Sequence, residues 1–168
     1  MAWALPTGVH WLLSSIGLMQ PPPVAGGPLT RESARALVRW YLQGKGATST
    51  EGLDAEGRGG AMLSEAQLYF EHLEAKQALE CSALIYRFRE EPKPGVVDGF
   101  RAEATEGTDA GGGEVAYEAD SRCLYLRHTY TQVPTGAEFS RDMDRLMKAS
   151  LVWGRDVLDR VAHRVFGT

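Results

Sequence analysis

A chain of 168 residues with 43% apolar and 24% charged side chains has the make-up of one globular domain, and folding at this length buries about 70% of the unfolded surface. Its 18 basic and 22 acidic residues leave a formal charge of −4 and no Lys/Arg run, which argues against a nucleic-acid partner that must have its counterions displaced. No apolar run approaches the roughly 20 residues needed to span a bilayer, so no membrane partner is expected either.

Residues 1–20 are apolar, with Trp3, Leu5, Val9, Trp11, Leu12, Leu13, Ile16 and Leu18. The first basic residue is Arg31, so the positive start of an export signal is missing and the segment reads as a short packing helix. Pro21-Pro22-Pro23 and Gly26-Gly27-Pro28 then form a hinge. Residues 1–28 are therefore expected to be an apolar arm with its hinge, and residues 29–168 a single α+β domain. Thr30 is a plausible N-cap for a helix over about 31–43, with Ala34, Leu37, Val38, Tyr41 and Leu42 at helical spacing and Gly44 as its stop. Residues 44–60 hold six glycines and few large apolar side chains, which predicts a flexible loop.

Two strands follow. Gln67 to Leu73 alternates with Leu68 and Phe70 on one face, and Ala78 to Phe88 alternates with Leu79, Cys81, Ala83 and Ile85 on one face. A helix over 65–80 is the alternative, because Leu, Glu, Ala and Lys favour one. Pro92 and Pro94 end the second strand, a short helix spans about 94–104, and Gly107 to Gly113 is a glycine-rich loop. Val115, Tyr117 and Ala119 alternate up to a turn at Asp120-Ser121-Arg122, after which Leu124, Leu126, His128 and Tyr130 alternate back as a hairpin. Thr135 and Glu138 have capping-box spacing, and an apolar stripe from Phe139 to Val165 predicts a last helix about 45 Å long, more than a small sheet covers. Gly154 lies on that stripe, which predicts a close backbone approach, whereas Trp153 lies off it.

Motifs of chemistry are absent from this order. Gly44-Lys45-Gly46-Ala47-Thr48 follows a helix and lacks the Gly-Lys-Ser/Thr of a phosphate loop. Gly111-Gly112-Gly113 leads into a strand rather than a helix N-terminus. His10, His72, His128 and His163 show no metal-ligand spacing, and Glu71 and His72 point to opposite faces of a strand. Cys81 and Cys123 sit in strand-like segments and read as small buried hydrophobes in a reducing compartment, which places the chain in the cytoplasm. No catalytic residue, cofactor or metal site is assigned.

The stretches Leu68-Tyr69-Phe70-Glu71, Leu79 to Phe88, the hairpin Gly112 to Leu126 and the Trp153-bearing last helix come in the order helix, strands, short helix, hairpin, long helix. Over roughly residues 31–166 this order resembles the class I type III secretion chaperones and the related YbjN-type proteins. That resemblance implies a small, acidic, cytoplasmic, commonly dimeric protein that binds unfolded segments of partner proteins. The fold expected is α+β: a mainly antiparallel twisted sheet with helices on one face and a long C-terminal helix. The function expected is non-catalytic protein binding, chaperone- or adaptor-like, with a protein or peptide partner and a homodimer. The alternative is a small-ligand binder or enzyme with a pocket between the sheet and the last helix, lined by Tyr117, His128 and Tyr130.

Strict alternation puts Leu84, Tyr86 and Phe88 opposite the core face of the second strand, with Tyr69 and Tyr125 beside them on neighbouring strands. These five are the candidate partner-binding residues. The N-terminal arm, a second copy and a client peptide are the three covers open to them.

Overall fold

Alternating apolar residues form one five-stranded sheet in the computed structural model, which describes residues 20–47 and 51–167. The strands are β1 (Arg58–Leu63), β2 (Ala66–Leu73), β3 (Ala78–Arg87), β4 (Glu114–Glu118) and β5 (Cys123–Tyr130), in the order β1-β2-β3-β5-β4, and every pairing is antiparallel. Helices α1 (Arg31–Gly44), α2 (Val96–Thr105), α3 (Gly136–Val152) and α4 (Leu158–Phe166) complete the fold, with a π-turn over Trp153–Val157 joining the last two. Leu68 and Phe70 of β2, Leu79, Cys81 and Ala83 of β3, and Leu124 and Leu126 of β5 form one core with Leu37 of α1 and with Phe139, Met143 and Leu146 of α3. The helices thus share one face of the sheet.

Helix α1 starts where the sequence placed it. Thr30 accepts from the Ser33 amide and Ser33 accepts from the Thr30 amide, a reciprocal cap that uses Ser in place of the usual Glu. The reciprocal cap of Thr135 and Glu138 opens α3 as the spacing predicted. Between β2 and β3 a single 3₁₀ turn over Glu74–Lys76 reverses the chain, so the helical alternative for 65–80 gives way to two strands. Gly26 donates to the Val133 carbonyl, and Val133 donates to the Gly27 carbonyl, which ties the Pro/Gly segment alongside the chain leaving β5. The helix expected in residues 1–19 lies outside the described residues.

The flexible loop expected over 44–60 is corrected over 51–60, while residues 48–50 lie outside the described residues. Its last residues, Arg58 to Gly60, begin strand β1. Before them, Leu53 is fully buried, and Gly52 lies so close to α1 that a Cβ there would sit 2.7 Å from the Arg35 carbonyl oxygen. The same backbone crosses Gly59, where a Cβ would collide with the Gly52 carbonyl. These glycines are demanded by contact, and their small size hid the strand from a reading based on large apolar residues.

Two irregularities meet at the far end of the core. In β3 the register shifts between Leu84 and Tyr86, a bulge at Ile85. Opposite it, the π-turn adds a residue to the long helix and turns Trp153 inward, where it is fully buried. The sequence puts Trp153 off the stripe, on a second face expected to pack as well; the structure corrects its place, bringing it onto the buried stripe itself. Its ring stacks on Phe100 of α2 at 6.3 Å, and its Nε1 donates to the Asp109 carbonyl at 2.8 Å. Gly154 makes the close approach expected of it: a Cβ there would lie 2.8 Å from the Ile85 carbonyl oxygen. Part of the stripe that outruns the sheet is covered within the chain, since Val161 packs into the space left by Gly99 of α2.

Glu103 fastens the same pair of helices. Its carboxylate, 5% exposed, accepts from Arg160 at 2.9 and 3.1 Å and from Thr108 at 2.8 Å. The Arg160 guanidinium holds the carboxyl below its ordinary value of 4.5, against the burial that would raise it.

Two predictions follow from this packing. In an unobstructed helix Gly→Ala gains about 1 kcal/mol. Gly154→Ala reverses that sign and costs about 1–3 kcal/mol in urea unfolding, because backbone at Ile85 cannot yield to the methyl group. A carboxyl whose folded pKa is depressed adds stability that is complete above 4.5 and is lost as pH falls through the lower folded value. The thermal midpoint of Glu103→Gln therefore lies below that of the parent at about pH 6, and the gap closes toward about pH 3. A gap independent of pH would contradict the assignment.

Candidate functional site: the open face of the sheet

The face away from the helices is set by the alternate residues of β2, β3 and β5. Tyr69 stands opposite Ser82, Ser82 opposite Arg127, and Leu84 opposite Tyr125. The Tyr69 and Tyr125 rings meet edge to face at 5.7 Å. Arg127 crosses the middle of the face, donating to Ser82 at 2.9 Å and to Glu118 at 2.8 Å, with its guanidinium 5.8 Å from the centre of the Tyr125 ring. Beside it, Glu71 and Glu80 face one another directly across the strands; Arg58 lies 3.5 Å from the first and Arg127 3.9 Å from the second. All of these side chains except Leu84 border a shallow depression of about 300 Å³.

The face is mixed in chemistry. Burial pushes the Tyr125 hydroxyl well above its ordinary value, so it remains a neutral donor at physiological pH. Below it, burial raises the Cys123 thiol, but hydrogen bonding with Ser121 and with Arg87, whose Nε lies 3.3 Å from Sγ, brings it net below the ordinary value. Burial raises the Cys81 thiol on the core side. Both cysteines are fully buried, as small hydrophobes would be.

Of the five residues expected to share this face, Tyr69, Leu84 and Tyr125 do. Tyr86 and Phe88 do not. The bulge at Ile85 adds one residue to β3 and reverses the alternation beyond it, so Tyr86 pairs with Leu124 and belongs to the helix side. Its ring contacts Phe88 at 5.0 Å, and Phe88 in turn contacts Tyr117 at 6.2 Å. Arg87 takes the outward place instead, pairing with Cys123. The sequence carried a trace of this, because Leu84, Ile85, Tyr86 and Phe88 make both faces apolar at once, which an unbroken half-buried strand does not do. Arg127, Glu80 and Glu118 were missed, although simple alternation along β5 brings Arg127 into line with Tyr125.

The pocket considered between sheet and last helix is filled where Tyr130 would line it. Phe139, Met143 and Leu146 occupy that layer, and the Tyr130 ring lies 5.5 Å from Phe139 with its hydroxyl donating to Asp142 at 2.8 Å. His128 packs on Tyr130, whereas Tyr117 pairs with Leu124 farther along the hairpin, so the three line no common space. His72 is buried with Nε2 2.7 Å from the Leu29 carbonyl oxygen, on the face opposite Glu71. Among the described residues, no group of three or more His, Cys, Asp or Glu is placed to hold a metal ion, and no helix is long and apolar enough to cross a membrane.

No family model matches the sequence, and no curated protein matches it. The fold does have solved relatives in shape. A chain of the crystal structure of the ExsC–ExsE complex superposes with a TM-score of 0.55 at 14% identity, over 74% of this chain and 93% of that one. A chain of the HopA1–SchA chaperone–effector complex gives 0.48 at 14% identity, over 73% and 91%. The fold is thus the α+β one that the order of elements led us to expect, a mainly antiparallel sheet with helices on one face and a long C-terminal helix, and it is shared with the chain of the ExsC–ExsE complex.

Proposed function

We propose that this chain is a non-catalytic protein-binding module, chaperone- or adaptor-like, that holds a partner polypeptide on the open face of its sheet. The observation that carries this reading is the face itself, where half-buried Tyr69 and Leu84 flank Tyr125, which is only 7% exposed, beside Arg127, Glu80 and Glu71, and where no helix among the described residues packs. Paired tyrosines bury area while keeping a polar contact, and charges of both signs fix the register of an incoming segment. The likeness in fold to a chain solved within a protein complex supports the same reading. In this reading the protein works in the cytoplasm without a cofactor, its domain begins at about residue 29, and it forms a homodimer.

A native pull-down read by mass spectrometry tests the face. Tyr69→Ser and Tyr125→Ser lose, by about tenfold, a polypeptide that the parent captures, the effect of removing a buried aromatic anchor. Tyr86→Ser, on the other side of the sheet, retains it. Equal capture by all three variants would refute the assignment of the face. Light scattering on the same samples checks the dimer, whose mass is twice 18.4 kDa; a mass near 18.4 kDa at micromolar concentration would refute that part alone.

A further inference from the structure

Where the bulge turns Tyr86 to the helix side, a second concave surface opens. Val96 and Val161 form its buried floor, and Leu158 and Ala162 of α4 form a wall. Tyr86 and Phe166 stand at its rim, 38% and 48% exposed. The groove measures about 330 Å³ and its lining is mainly apolar. Charged side chains reach it only along the 89–93 loop, from which Lys93 lies 5.4 Å from the centre of the Phe166 ring.

We propose that the N-terminal segment of the same chain occupies this groove, with Trp3 and Leu5 as the side chains that fill it. Charge is the first argument. Residues 1–30 hold no Lys, Arg, Asp or Glu, so the segment brings no charged side chain to the arginines and glutamates of the open face. Covering that face would strip water from Arg58, Arg127, Glu71 and Glu80 and return nothing to them. The apolar groove asks for no counter-charge and matches a segment rich in tryptophan and leucine.

Reach is the second argument. Gly26 is tied to Val133, just beyond the end of β5, and Pro22 lies beside Gly136 at the start of α3. The groove lies at the other end of β5, where Leu124 pairs with Tyr86. The eight residues of β5 span about 27 Å, which an extended chain crosses in about eight residues. Counted back from Gln20, a direct crossing by extended chain, in place of the packing helix that composition suggests for this segment, uses residues 12–19, and a path around the helices uses a few more. A path that also uses residues 9–11 leaves Met1, Trp3 and Leu5 as the large apolar side chains before it, and Trp3 and Leu5 are the two assigned to the groove. The proposal stands apart from partner binding on the open face, and neither depends on the other.

Phe166 is exposed, so it tolerates replacement by a photoreactive group. In the full chain carrying Phe166→benzoylphenylalanine, illumination is expected to give an adduct of single-chain mass that joins position 166 to residues 1–9. Adding Trp3→Ser and Leu5→Ser lowers its yield by about tenfold or more, the loss expected on exposing two large apolar side chains. An adduct of twice the chain mass would place a second copy in the groove and overturn the proposal. An adduct to another part of the chain, no adduct, or a yield untouched by the two serines would overturn it equally. Hydrogen exchange needs no reactive group. Deleting residues 1–19 is expected to speed amide exchange in Leu158–Phe166, and unchanged exchange there rejects the proposal.

Discussion

Gly154 against the Ile85 carbonyl is the contact on which the far half of the molecule depends. A bulge inserts one residue into β3, and a π-turn inserts one into the long helix. Each is an irregularity that would weaken its own element in isolation. Placed face to face, they let backbone meet backbone with no side chain between. The helix can then roll Trp153 into the core, onto Phe100 and under the Asp109 carbonyl. With Trp153 in place, α2 has a surface to pack on, and the Glu103–Arg160 contact closes the join.

The same bulge divides the aromatic surface in two. Before it, Tyr69, Leu84 and Tyr125 look away from the helices, amid charges of both signs. After it, Tyr86 and Phe88 look toward α4, amid apolar neighbours. The two surfaces differ in chemistry. The open face holds Arg127 between Glu118, Ser82 and the Tyr125 ring, and sets Glu71 directly opposite Glu80. Like charges across a strand pair are unfavourable, and a basic side chain from a partner would relieve them. On the proposed reading, a fixed network of this kind selects a partner by charge and register more than by buried area. The groove beside α4 has no such network and favours apolar guests.

Local chemistry was legible where one interaction dominates over a few residues. The caps at Thr30 and Thr135, the alternation of β2 and β5, and the helical spacing of Leu37, Val38 and Tyr41 all appear where the sequence puts them. Strand β1 was not legible, because Gly59 and Gly60 have no side chains to alternate and are glycine on account of neighbours met only in the folded state. The candidate site was legible in part. Tyr69, Leu84 and Tyr125 follow simple alternation, whereas Tyr86 and Phe88 lie past a break that alternation cannot register.

Sequence alone determined the class of fold, since the caps, periods of two and near four, and turn residues act within a few positions of one another. It also determined the surplus of apolar positions around residues 84–88 and along the last helix, through counts that survive any rearrangement of the chain. Tertiary structure decided which face each of those positions takes. A bulge or a π-turn is neutral to composition and nearly neutral to local preference, so its place is chosen by the packing of distant backbone: here Ile85 on Gly154, 69 residues apart in the chain. One inserted residue reverses the face of everything beyond it, because the period of a strand is two.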